Sequence, residues 1–142
     1  MFIPLLIALS QPVNLTQAEP CKLSVINYQE TNNCPLLTGT FGSEEWTINL
    51  SYWEPGAYVL RGINRFNGKK IKTIGSEVRG TVDRPQYPFS EERSETLYLV
   101  TFQRGDRNTI RLQIFADTVP VYNQLLHKTS SNDRFFKERM SI

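Results

Sequence analysis

Apolar side chains recur at alternate positions through short runs of this chain, and Gly, Pro, Asn or Asp closes each run. A period of two belongs to strands, whose successive side chains point to opposite faces, so the sequence is committed to β-structure. The clearest run sets Trp46, Ile48, Leu50 and Tyr52 against Glu45, Thr47, Asn49 and Ser51, one face apolar and the other wet. Glu54-Pro55-Gly56 then returns the chain into Tyr58, Leu60 and Gly62. An odd loop from Trp53 to Ala57 sets Leu50 opposite Leu60 and Tyr52 opposite Tyr58. A two-residue Pro-Gly turn would bring Arg61 onto the apolar face, so the odd loop is expected.

Asn67-Gly68 reads as a type I′ turn, because both residues tolerate positive φ, and it joins a strand over 58–66 to one over 69–74. Val78, Gly80 and Val82 alternate with Glu77, Arg79 and Thr81 as a further strand. Pro85 and Pro88 lack N–H donors, which makes the next segment an edge or a loop. A type II′ turn at Gly105-Asp106 would pair Leu97, Leu99 and Thr101 with Ile110, Leu112 and Ile114 on a core face. Tyr98, Val100 and Phe102 would then lie on the reverse side with Arg111 and Gln113. Between Thr118 and Lys128 the pattern divides: Val121, Tyr122 and Leu125 have helical spacing, yet Val119-Pro120-Val121 is extended. The expected fold is all-β, an antiparallel meander of seven or eight strands closing into a small barrel, with a sandwich as the alternative. Residues 129–142 form a polar tail or a short C-terminal helix.

The first eighteen residues carry no charged side chain; charge begins at Glu19 and Lys22. Phe2 to Leu9 is apolar, and Thr16-Gln17-Ala18 ends in a small residue, as in a secretory signal peptide cleaved after Ala18. The basic n-region is missing, and a buried N-terminal strand is the competing reading. A transmembrane span needs about 20 apolar residues and this run is shorter. The expected organisation is a signal peptide over 1–18, one all-β domain over 19–128 and the tail. Export to the periplasm or the medium suits the only two cysteines, Cys21 and Cys34, which are expected to form a disulfide stapling the first strand to the start of the next. No CxxC occurs and His127 is the only histidine, so neither a metal site nor a cofactor is expected.

The run Leu37-Thr38-Gly39-Thr40-Phe41, followed by Gly42-Ser43, resembles the opening of avidin-type and lipocalin-type barrels, with Phe41 where those carry tryptophan. That resemblance implies a barrel; no ligand-binding position carries over, and biotin binding is not implied. Gly80-Thr81 with Arg84-Pro85-Gln86-Tyr87, Thr109-Ile110-Arg111-Leu112 and Asn123-Gln124-Leu125-Leu126 are similar to small secreted proteins of cyanobacterial type without an assigned function. This second resemblance implies export and an all-β fold.

For function, the net charge of +2 is too small to call for a nucleic-acid partner. Arg61, Arg65, Lys69, Lys70 and Lys72 nevertheless lie in a window, 55–76, that holds no acid. With Asn67-Gly68 as the turn, Arg65 faces Lys70, and Arg61 and Lys72 project from the same side. Like charges paired across strands are destabilising. Either water solvates such a face or an anion compensates it, for which acidic polysaccharide or anionic lipid headgroups are the natural ligands. Trp53, Tyr58, Tyr87, Phe89, Tyr98 and Phe102 raise the alternative of a small-molecule carrier with a barrel pocket, against plain core packing. A hydrolase is the most distant alternative. His127 has only Asp117 nearby in sequence, no nucleophile elbow occurs, and Glu44-Glu45 and Glu91-Glu92 are adjacent pairs whose members point to opposite faces. Arg104-Gly105-Asp106 spells an adhesion tripeptide, but Gly-Asp also suits a tight turn. Asn49-Leu50-Ser51 is a glycosylation sequon inside an expected strand.

Overall fold

The Trp46–Tyr52 alternation and its return through Tyr58 and Leu60 form the centre of the fold. In the computed structural model, which describes residues 19–26, 29–34, 36–54, 57–91 and 93–129, Leu50 pairs with Leu60 and Tyr52 with Tyr58. A bulge at Trp53 keeps that register while Glu54 pairs with Ala57. The apolar faces therefore align as the pattern requires. Trp53, the extra residue, is 62 % exposed.

Eleven strands are present among the described residues. A small hairpin is made of β1 (Leu23–Ile26) and β2 (Gln29–Asn32). The main sheet contains β3 (Gly39–Gly42), β4 (Trp46–Glu54), β5 (Ala57–Asn64), β6 (Lys70–Gly75), β7 (Arg79–Gly80), β8 (Pro85–Glu91), β9 (Thr96–Gln103), β10 (Asp106–Ala116) and β11 (Val119–Lys128). Its order is β6-β5-β4-β3-β11-β10-β9-β8-β7, with each neighbouring pair antiparallel. Two meanders are thus joined where His127 pairs with Gly42 and Lys128 with Phe41. Residues 1–18 and 130–142, expected as leader and tail, lie outside the described residues.

The sheet curls around its core. Trp46 on β4 meets Tyr98 on β9 and Tyr122 on β11 edge-on, at centroid separations of 6.3 and 6.5 Å. Tyr58 on β5 meets Tyr87 on β8 at 5.2 Å, and Tyr87 stacks on Phe102. Such contacts join strands far apart in the sheet order, so the interior is one packed aromatic and aliphatic cluster. Curling brings β6 alongside β8, where Thr73 Oγ1 donates to Ser90 O at 2.8 Å. A Cβ on Gly75 would lie 2.8 Å from Pro88 O. No backbone ladder joins β6 to β8 among the described residues, so the sheet stays open rather than closing as a hydrogen-bonded barrel. Pro88, which has no N–H to give, sits at this seam.

Two sequence expectations need correction, and one segment whose pattern divides between helix and strand is decided. Thr118–Lys128 is not helical: Asp117 and Thr118, both at positive φ, make a two-residue turn, and β11 pairs along β10 from Val119 to His127. The β9–β10 turn is Arg104-Gly105, closed by Gln103 and Asp106, and a bulge between Asp106 and Arg111 then shifts the register. Val100 faces Leu112 and Tyr98 faces Ile114 as a result, so Tyr98, Val100 and Phe102 are core rather than reverse-side residues. The expected strand around Val78–Val82 shortens to β7, because Thr81 is instead bridged to Pro20.

Cys21 and Cys34 form a disulfide at the base of the β1–β2 hairpin, in line with its ladder. The adjoining Asn32 donates through Nδ2 to Tyr58 Oη at 2.7 Å and Tyr87 Oη at 3.3 Å, while its Oδ1 accepts the Cys34 N–H at 2.7 Å. This polar plug ties the disulfide loop to the tyrosines of the core.

Candidate functional site

The basic hairpin is shaped by Asn64. Its Oδ1 accepts the N–H groups of Phe66 and Asn67 at 2.9 and 3.1 Å, and its carbonyl accepts the N–H of Gly68 at 2.8 Å. The loop therefore holds four residues, Arg65 to Gly68, with only Gly68 at positive φ, in place of the two-residue Asn-Gly turn. Pairing shifts by two residues: Arg61 stands opposite Lys72, and Ile63 opposite Lys70. An even shift preserves the faces.

Along β6 exposure alternates, with Lys70, Lys72 and Ile74 outward and Ile71, Thr73 and Gly75 inward. Arg61, half-buried, shares the outward face through its pairing with Lys72. Arg61, Lys70 and Lys72 therefore form one cationic surface, and no carboxylate lies within 4.0 Å of their charged groups among the described residues. Lys69 leaves this group; its Nζ is 4.0 Å from Glu91 Oε1 across the β6–β8 seam. Arg65 belongs to the loop tip.

Curling adds a cation that the sequence window does not contain. A surface cleft of about 430 Å³ at the seam is lined by Lys72, Thr73, Ile74, Ser90, Glu91 and Arg93. Arg93 comes from the turn between β8 and β9, and only the approach of β6 to β8 brings it to Lys72. Below it, Glu91 accepts the Tyr98 hydroxyl at 2.5 Å. Burial, then the bond to Glu91 and its charge, push the Tyr98 pKa well above the ordinary tyrosine value. Burial likewise raises Tyr122, whose hydroxyl pairs with Ser43 at 2.9 Å.

The other sequence candidates disperse. His127 Nδ1 is 3.4 Å from Thr109 Oγ1, at the opposite end of the β10–β11 hairpin from Asp117. Glu45 accepts from Asn64 Nδ2 at 2.9 Å, Glu91 is engaged as above, and Glu92 lies outside the described residues. Arg104, Gly105 and Asp106 are exposed at the β9–β10 turn, where Asp106 Oδ1 accepts the N–H of Asn108 at 2.9 Å. Asn49 of the sequon is held in β4 by its bond to Thr40 Oγ1 at 3.0 Å. Tyr58, Tyr87, Phe89 and Tyr98 are at most 1 % exposed and fill the interior. No group of three or more His, Cys, Asp or Glu among the described residues could hold a metal ion, and no helix there is long and apolar enough to cross a membrane. No family model matches the chain, and neither a curated protein nor a solved structure matches it.

Proposed function

We propose that this chain is an exported, non-catalytic β-domain of the cell envelope that binds polyanionic material through the face of Arg61, Lys70 and Lys72, with Arg93 beside it. The observation that carries the reading is the direct pairing of Arg61 with Lys72, with no carboxylate within 4.0 Å of either charged group among the described residues. A like-charge pair across strands disfavours the hairpin by roughly 0.2–1 kcal/mol, and a polyanion laid over both removes that repulsion. Exposed charges of this kind bind weakly and are salt-sensitive. The disulfide and the uncharged leader support export to the periplasm or the medium. A packed interior favours a surface role over the carrier alternative.

The ligand chemistry is a run of sulfate, carboxylate or phosphate groups, as in acidic polysaccharide or anionic lipid headgroups. Co-sedimentation with phosphatidylglycerol vesicles and retention on immobilised dextran sulfate, each at rising salt, separate the two sources. Salt-sensitive binding to at least one is expected; binding to neither overturns the proposal.

A further inference from the structure

A second site lies on the outer face of the other meander, where the β9–β10 bulge opens a cleft of about 370 Å³. Its floor is one transverse row of the sheet: Thr101, Arg111 and Leu125 are directly paired across β9, β10 and β11. Arg84 reaches it from the bend that precedes β8. Three polar features of this cleft are incomplete. The Arg84 side chain has no hydrogen-bond or ion-pair partner among the described residues. Arg111 commits Nη1 to Asn123 Oδ1 at 2.6 Å, which fixes the guanidinium and leaves other donors of its fork open. Thr101 Oγ1 is buried without a hydrogen-bond partner among the described residues, an uncommon state for a hydroxyl in a folded protein. The one acid in the lining, Asp106, has an oxygen engaged by the Asn108 N–H and pairs with neither arginine. The half-exposed Leu125 supplies an apolar wall.

We infer that this cleft binds a small organic oxyanion, a carboxylate or phosphate carried on an apolar body. Two guanidinium groups recognise the planar or tetrahedral oxyanion with charge-assisted bonds. Rotation of the Thr101 hydroxyl about its Cα–Cβ bond turns the orphan donor toward the head group. The apolar body lies along Leu125. A volume in the range of small-molecule sites accommodates such a ligand but not a folded partner. The site is separate from the Arg61–Lys72 face and does not depend on it.

The test is an amide chemical-shift titration of the full chain with phenyl phosphate, benzoate, inorganic phosphate and benzyl alcohol. Saturable shifts at Arg84, Thr101, Thr109 and Arg111 are expected with phenyl phosphate or benzoate, and the tighter of the two identifies the head group. Inorganic phosphate and benzyl alcohol, each lacking one half of the ligand, should bind at least about tenfold more weakly. Arg84→Gln should weaken binding about tenfold or more. Thr101→Val should weaken binding without lowering the melting temperature, and Lys72→Glu should leave this titration unchanged. Absence of saturable shifts, wild-type affinity in Arg84→Gln, or equal affinity for benzyl alcohol overturns the assignment.

Discussion

Asn64 Nδ2 donates to Glu45 Oε2 at 2.9 Å, tying the β5–β6 loop to the turn that precedes β4. The same side chain accepts two loop N–H groups through Oδ1 and is only 4 % exposed, so none of its bonds can be replaced by water in place. Asn64→Ala should lower unfolding free energy by about 2–4 kcal/mol, the loss of several buried hydrogen bonds at once. Urea denaturation measures it; a change under about 0.5 kcal/mol, typical of a surface substitution, would contradict the role given to Asn64.

The Cys21–Cys34 disulfide closes the base of the β1–β2 hairpin and stands beside Asn32, the donor to Tyr58 and Tyr87. Replacing both cysteines by serine should cost on the order of 3 kcal/mol, as expected for a loop of this length. Thermal melting of the double variant reads the loss. Reduction of the native protein should produce a similar fall, and an unchanged melting temperature would show that the staple is dispensable.

Gly75 lets β6 approach β8 across the unpaired seam. Its Cβ substituent would sit 2.8 Å from Pro88 O and 2.9 Å from Phe89 Cδ2. Gly75→Ala should destabilise by about 1–3 kcal/mol, the usual cost of overpacking. Gly105→Ala has nothing within 4 Å to meet and serves as the comparison, with a smaller effect on denaturant midpoint.

Tyr98 predicts an alkaline limit. Its folded pKa is raised by burial and by Glu91, whereas the unfolded chain releases the phenolic proton near 10. The unfolded state therefore loses protons first; the contribution is complete below about pH 10 and declines as pH rises toward the folded value. Urea midpoints measured from pH 8 to 11 should fall above pH 10. Tyr98→Phe should flatten that decline, and an identical slope in the variant would remove Tyr98 as its source.

Much of the fold could be read from the chain because burial and alternation coincide. Leu50 opposite Leu60 follows from matching apolar faces, and the structure reaches that register with a bulge at Trp53. The pattern misled where turn geometry is set by groups that alternation does not register. Asn64 captures its own loop and shifts Arg61 onto Lys72. The extra residues between Asp106 and Arg111 exchange the expected faces of β9. At β11, Val121, Tyr122 and Leu125 satisfy a helical spacing by coincidence, and pairing with β10 decides the outcome. Of the basic site, Arg61, Lys70 and Lys72 are legible as one face, whereas Arg93 joins only through the curl of the sheet. No local signal marks it.

The most direct measurement of the proposed function is the salt concentration at which Lys70→Glu/Lys72→Glu elutes from immobilised dextran sulfate. A glutamate at 72 faces Arg61 and forms an opposite-charge pair, so the variant should stay folded and match or slightly exceed the native melting temperature. The native domain should be retained at low salt and released as ionic strength rises, and the variant should pass through unretained. Elution of the folded variant at the native salt concentration would contradict the account.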